Sequence, residues 1–214
     1  MKIAIIGQGG HSKVVRDVIK AMGNAEIVGC LDDKFNAEFF HEQILYGPVD
    51  ASQRIAEEFP EVKFFVAVGN NKVRMQIVKR LGFPEEFYTT LIHPTAQVSE
   101  YSKIGPGSVV MPCAVVNSDS LLGTHVIINT SAVVEHDSKI EDFVHISPTA
   151  TLTGNVTVRE GAHVGASATV IPGMEIGKWA MVGAGATVIH HIPANSTAVG
   201  VPAIVKMKEV TGGV

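Results

Sequence analysis

The sequence predicts an α/β N-terminal domain on a small Rossmann-like parallel sheet, residues 1–86, followed by an all-β parallel β-helix over 87–214. Three observations predict it. Before residue 86, short apolar runs ending in glycine or acidic residues alternate with helical stretches. From Ile92 to Val188 a branched aliphatic residue recurs at every sixth position, seventeen times without a miss. Four residues after each aliphatic, Ala or Ser fills twelve of the seventeen positions.

In the first segment, Lys2-Ile3-Ala4-Ile5-Ile6 reads as a strand that ends in Gly7-Gln8-Gly9-Gly10-His11-Ser12-Lys13, with a helix from Val14 to Met22. Ile27 to Leu31 is a second strand, ending at Asp32-Asp33-Lys34, and Lys63 to Val68 a third, ending at Gly69-Asn70-Asn71. A further helix runs from about Lys72 to Leu81. Strands alternating with helices imply a parallel sheet with ligands favoured at the carboxyl ends of its strands. The glycine loop partly matches a dinucleotide fingerprint: Gly7 and Gly9 fit its first two glycines, while Ser12 stands at the third. Such a loop lets backbone amides at a helix start approach a phosphate, although it also serves as a plain strand-to-helix turn. The segment has room for a mononucleotide unit only, which favours a nucleotide held through its diphosphate over a nicotinamide cofactor.

In the second segment, neither a 3.6-residue helical period nor the two-residue period of a lone strand yields a strict six, whereas a hexapeptide solenoid does. The aliphatic residue points inward, the small residue shares that interior, and three hexapeptides make one eighteen-residue triangular coil. Glycines at 105, 123, 165, 177 and 183, each directly after an aliphatic, read as tight corners. After Val188 the period breaks, and Val199-Gly200-Val201-Pro202-Ala203 reads as a cap over the open edge that a solenoid must protect.

Composition narrows the function. Net charge is −4 with no run of like charges, so a nucleic-acid or anionic-membrane partner is not expected. No apolar stretch approaches the roughly 20 residues of a membrane span, and the apolar start is too short for a signal peptide. Cys30 and Cys113 form no metal-spacing motif and read as free thiols in a reducing cytoplasm. No His/Asp/Glu cluster has zinc spacing, so no metal is expected.

Eighteen-residue arithmetic indicates which solenoid side chains meet. His145 stacks with His163 at the inter-strand spacing of about 4.8 Å, Asn129 with Ser147, and Asp137 with Asn155. His136 lies between Ser118 and Gly154 of adjacent coils and projects outward. A carboxylate on each side, Glu135 or Asp137, could orient its ring and raise its basicity, as a general base near neutral pH requires. Alternation along a strand leaves both open, and a surface histidine among charges is the plain alternative. His93, His125, His190 and His191 read as structural or exposed, and His11 as a phosphate contact of the glycine loop.

Together, Gly7-x-Gly9-Gly10-His11-Ser12-Lys13-Val14-Val15, Leu31-Asp32-Asp33, the hexapeptide array, Asn129-Thr130-x-x-x-x-Glu135-His136-Asp137 and Val199-Gly200-Val201-Pro202-Ala203 resemble one family over essentially the whole chain. It comprises the sugar O- and N-acetyltransferases related to the bacillosamine N-acetyltransferase and the sialic acid O-acetyltransferases. The resemblance implies a homotrimer of left-handed β-helices that uses acetyl-CoA. It implies His136 as the base and Asp137, where some members carry Glu, as the residue that orients it. It further implies Asn129 near the acceptor sugar and His145 at the acetyl end of the cofactor. Gly154, Gly165 and Gly183 would line the CoA channel. Gly9, Gly10, His11 and Ser12 would hold the diphosphate, with Asp32, Asp33 and Lys34 near ribose or base.

The function expected is transfer of acetyl from acetyl-CoA to the amine of a nucleotide-linked 4-amino-6-deoxy sugar, UDP being the default carrier, in bacterial glycan biosynthesis. Direct attack is expected, because Cys113 has no neighbouring base. The uninterrupted hexapeptides leave a neighbouring subunit's N-terminal domain to complete the acceptor pocket. Alternatives are O-acetylation of a sialic acid or polysaccharide precursor, a noncatalytic trimeric scaffold, and a γ-type carbonic anhydrase, which would need a third zinc histidine beside His145 and His163.

Overall fold

The computed structural model describes residues 1–206; the stretch 207–214, assigned from sequence to the second domain, lies outside them. Five strands build the N-terminal sheet: β1 (Lys2–Ile6), β2 (Glu26–Leu31), β3 (Phe39–His41), β4 (Ile44–Gly47) and β5 (Lys63–Val66). Their order is β3-β4-β2-β1-β5, parallel except for the antiparallel β3–β4 hairpin. That hairpin and the short helix α2 (Ser52–Glu58) are additions to the elements expected from sequence.

Helix α1 (Gly10–Met22) turns Val15, Val18 and Ile19 inward at helical spacing and stops at Gly23, whose φ of 70° only glycine adopts without strain. Helix α3 (Asn71–Leu81) begins at Asn70, whose side chain accepts the Val73 N–H at 3.1 Å, and ends at Gly82 with φ 65°. Both helices begin at the carboxyl end of a strand, so three loops converge there: Gly7–Gly10 after β1, Asp32–Lys34 after β2 and Ala67–Asn70 after β5.

The solenoid is a left-handed parallel β-helix of two-residue strands, and each of the seventeen from Leu91–Ile92 to Thr187–Val188 ends on one of the periodic aliphatics. Pairing between their successive coils is parallel with a register of eighteen, as in Ile128↔Ile146 and Ile146↔Val164. The strands form three faces of a prism, of six, five and eight strands. The eight-stranded face ends in Thr197–Val199, which is covered by the antiparallel strand Ile204–Lys206; the edge is capped as expected, but by the strand after Val199–Ala203, of which residues 200–203 form the connecting turn. Inside, Val134, Ile146, Leu152, Val158, Val164 and Val170 are fully buried beside Ala132, Ala150, Ala162 and Ala168. Each such aliphatic contributes about 1.5–3 kcal/mol by leaving water.

The corners differ from expectation. The left-handed residue lies three after the aliphatic, at fourteen successive positions from Gly107 to Gly185, and includes His125, Asp137, Phe143, Asn155 and Trp179. The glycines one after the aliphatic serve a different purpose. A Cβ on Gly165 would stand 2.6 Å from the Ala184 nitrogen, and one on Gly105 2.7 Å from the Gly123 carbonyl carbon, so they permit close coil stacking.

One face of the N-terminal sheet packs directly on the solenoid. Ile3, Ile5, Phe65 and the inner side of α1 share a core with Leu91, Val109, Met111 and Ile127 of the eight-stranded face. The opposite sheet face, with Ala4, Ile6, Phe64 and Val66, forms a separate core with α2 and the residues before the solenoid.

Candidate active site

The three converging loops enclose a cleft of about 390 Å³ lined by Gly7, Gly9, Gly10, His11, Asp32 and Asp33, among others. Asp32 ties the loops together: its carboxylate accepts the Gln8 N–H at 2.6 Å and the Lys34 N–H at 3.0 Å. Asp33 accepts from Arg80 at 2.6 Å and from the Val49 N–H at 3.2 Å, and the Arg80 bond holds its carboxyl below the usual range. Ser12 is buried and donates its hydroxyl to the Gly9 carbonyl at 2.7 Å, which shapes the loop from behind. Lys34 reaches the Gln8 carbonyl at 3.3 Å. Gly9 and Gly10 leave the helix start open, since among the described residues nothing lies within 4 Å of a Cβ built at either.

A second cleft, of about 610 Å³, runs along the eight-stranded face and is lined by Gly69, Asn71, His145, His163, Trp179 and Met181, among others. Gly69 belongs to both clefts and forms part of the wall between them. His145 and His163 stack with centroids 4.7 Å apart and planes within 3°, as the eighteen-residue spacing requires. A matching pair of diagonal bonds holds them: Asn129 Nδ2 to His145 Nε2 at 3.1 Å and Ser147 Oγ to His163 Nε2 at 2.7 Å. Burial, the neighbouring His163 and the Arg74 charge push His145 down to about 3, so it is neutral. His11, 6.5 Å from His145 between ring centroids, is pushed down to about 4 by burial and Arg74.

His136 has different surroundings. It follows Val133–Val134 of the six-stranded face and precedes Lys139–Ile140 of the five-stranded face. That corner lies opposite the eight-stranded face on which the N-terminal sheet packs, so one chain does not bring His136 to either cleft. The side chain is 62% exposed, and its Nδ1 bonds Asp137 Oδ2 at 2.8 Å. That bond, then the charges of Asp137 and Glu135, raise its pKa above the ordinary value. Glu135 is engaged elsewhere, accepting from Asn117 Nδ2 at 2.8 Å, so the geometry pairs His136 with Asp137. Gly154 makes room for the ring, because a Cβ there would meet the ring Cε1 at 2.7 Å. Gly165 and Gly183 are occupied with coil packing, and neither lines the cleft that contains His145.

Two side chains at the junction were not singled out from sequence. Arg74 and Asn71, on α3, hydrogen-bond solenoid carbonyls 51 to 91 residues away, a relation that local patterns do not carry. His125, expected as structural or exposed, is buried against Tyr88 and Phe143. Cys30 is buried and Cys113 exposed, both free. Among the described residues no group of three or more His, Cys, Asp or Glu could hold a metal ion, and no helix is long and apolar enough to cross a membrane.

Residues 2–81 match the PglD N-terminal domain. The chain is 48% identical over 109 residues to the UDP-N-acetylbacillosamine N-acetyltransferase of Bacillus subtilis, an alignment covering 51% of this chain and 50% of that protein. The acetyltransferase domain of PglB from Neisseria gonorrhoeae, solved with acetyl coenzyme A, is 40% identical with a TM-score of 0.86, covering 96% of this chain and 98% of that one. PerB from Caulobacter crescentus, solved with CoA and GDP-perosamine, is 35% identical with a TM-score of 0.87, covering 97% and 98%. With a glycine-loop cleft, a hexapeptide solenoid and full-length likeness to these structures, the chain belongs to the sugar acetyltransferase family related to the bacillosamine N-acetyltransferase.

Proposed function

We propose that the protein transfers acetyl from acetyl-CoA to the 4-amino group of a UDP-linked 4-amino-6-deoxy sugar, with His136 as general base. The observation that carries this reading is the exposed His136–Asp137 pair, whose Nδ1 is held at 2.8 Å while Nε2 makes no hydrogen bond among the described residues. An acceptor that arrives as ammonium gives one proton to solvent, and the neutral amine then attacks. Its nitrogen sheds a second proton as it bonds to the thioester carbonyl carbon, and His136 Nε2 takes that proton. Collapse of the tetrahedral intermediate breaks the C–S bond, and the CoA sulfur leaves with the proton returned from His136. Asp137 keeps the ring oriented and stabilises the imidazolium.

The other roles follow the same reading. Gly9, Gly10, His11 and Ser12 form the diphosphate loop, with Asp32, Asp33 and Lys34 on the ribose and base side. Asn129 meets the acceptor sugar, His145 the acetyl end, and Gly154, Gly165 and Gly183 the course of CoA. His136 stands on the corner away from its own clefts, which favours a homotrimer in which each His136 faces a neighbour's N-terminal domain. The protein would then act in the cytoplasm on a glycan precursor.

CoA release from acetyl-CoA in the presence of the UDP-linked amino sugar tests this. Native turnover that collapses on His136→Ala, with folding and trimerisation intact, supports the base; turnover that survives sinks it. A GDP-linked amine is the second reading, favoured by the likeness to the GDP-perosamine complex. Comparing kcat/KM for the two nucleotides decides between them.

A further inference from the structure

One buried charge at the junction has no part in the reaction as proposed. Arg74 is 1% exposed, and among the described residues no carboxylate pairs with it. A guanidinium taken out of water is costly unless its donors are met. Here oxygen atoms meet them: Nε donates to His125 O at 3.0 Å, Nη1 to Val68 O at 2.8 Å and Gly69 O at 3.3 Å, and Nη2 to Asn71 Oδ1 at 3.0 Å and Phe143 O at 2.8 Å. Asn71, oriented by that bond, donates to the Gly161 and Ala162 carbonyls at 3.1 Å.

The solenoid explains why donors are needed there. His125, Phe143 and Gly161 are the left-handed corner residues of three successive coils. Among the described residues no backbone N–H donates to their carbonyls, so any element that covers this corner has to supply donors. Arg74 and Asn71 supply them, which pins α3 to the corner.

The Arg74 bond to Gly69 reaches further. The Gly69 carbonyl also faces His145 Nδ1 at 3.3 Å. Asn129 Oδ1 accepts the Thr130 N–H at 2.8 Å, which turns Asn129 Nδ2 toward His145 Nε2. Nε2 is therefore an acceptor, and the single ring proton sits on Nδ1, directed at Gly69 O. We propose that Arg74 is a positioning residue for acetyl transfer: by holding the Gly69 carbonyl in front of Nδ1, it works with Asn129 at Nε2 to fix the Nδ1–H tautomer and ring orientation of His145. The acetyl-transfer half of this statement rests on the assignment of His145 to the acetyl end; the tautomer half does not.

The test is ¹⁵N NMR of histidine-labelled full-length protein, with steady-state kinetics, for the native chain, Arg74→Lys and Asn71→Ala. In the native protein His145 is expected as a single Nδ1–H tautomer; an Nε2–H tautomer overturns the proposal whatever the variants do. A lysine has no planar fork to span Val68, Gly69 and Phe143. Arg74→Lys should give a mixed His145 tautomer and a kcat roughly tenfold lower, with KM changing less than about threefold. Asn71→Ala, which loosens α3 without removing the Gly69 contact, should keep the native tautomer. Equal losses in both variants with the His145 signals unchanged would reduce Arg74 to a strut and overturn the proposal. If no acceptor is turned over by any of the proteins, the acetyl-transfer reading fails while the NMR signals still decide the tautomer.

Discussion

His136 and His145 stand nine residues apart and occupy opposite environments. His136 sits at an outer corner, exposed, with a carboxylate on one nitrogen and a pKa raised by Asp137. His145 is enclosed between the solenoid and the Gly69 loop, stacked on His163, and lowered to about 3. The same imidazole is thus prepared to accept a proton in one place and kept from accepting one in the other. Nothing about the residue type makes that distinction; the corner and the junction make it.

The contrast can be broken most severely at the corner. On the role proposed for His136, His136→Ala should lower kcat/KM for acetyl transfer by roughly 10²–10⁴-fold, the range for loss of a general base. A gentler version keeps the imidazole but displaces it: Gly154→Ala puts a Cβ 2.7 Å from the ring Cε1 and 2.8 Å from Nε2. The exposed ring can swing aside, so the thermal midpoint should hold while kcat falls by about 10²-fold, as for a misplaced catalytic group. Native activity in Gly154→Ala would show that catalysis uses a ring position other than the one in this structure.

At the junction the corresponding test is stability against pH. His11 and His125 are lowered to about 4 and His145 to about 3. Because these folded values lie below the ordinary 6.5, the unfolded chain binds protons that the folded chain refuses as pH falls from 6.5 to about 4. Stability should therefore be full above pH 6.5 and decline on acidification, by at most about 1.4 kcal/mol per pH unit for each histidine. Denaturant melts at pH 7, 6 and 5 measure it. A flat profile would mean that the junction histidines are not held neutral.

The two regions are legible in the sequence to different degrees. The period of six locates every solenoid strand, and eighteen-residue arithmetic pairs His145 with His163 and sets Gly154 beside His136. The left-handed corner escapes it, because residues such as Phe143 and Trp179 have no preference for that conformation and adopt it under the constraint of the coil. The glycine loop and Asp32–Asp33 are visible from local pattern and do line a cleft. Arg74 is not, because an arginine on a helix reads as solvated, and only the distant corner carbonyls make it a buried ligand of the solenoid.

The two smallest expected effects concern which carboxylate serves His136. Asp137→Asn keeps a side chain near Nδ1 but weakens the hydrogen bond and removes the charge that raise the pKa. The acid limb of kcat/KM should move to lower pH, and the plateau should fall roughly three- to tenfold as the base weakens. Glu135→Gln removes a charge of the same sign one residue on the other side, yet its carboxylate is bonded to Asn117 and its charge is the weakest of the influences on His136. Its plateau should change by less than about twofold, with little movement of the acid limb, since exposed charges without a direct bond interact weakly through water. Reversal of the two results, with Glu135→Gln the more damaging, would assign the orienting role to Glu135 and mean that the His136 ring turns on binding substrate.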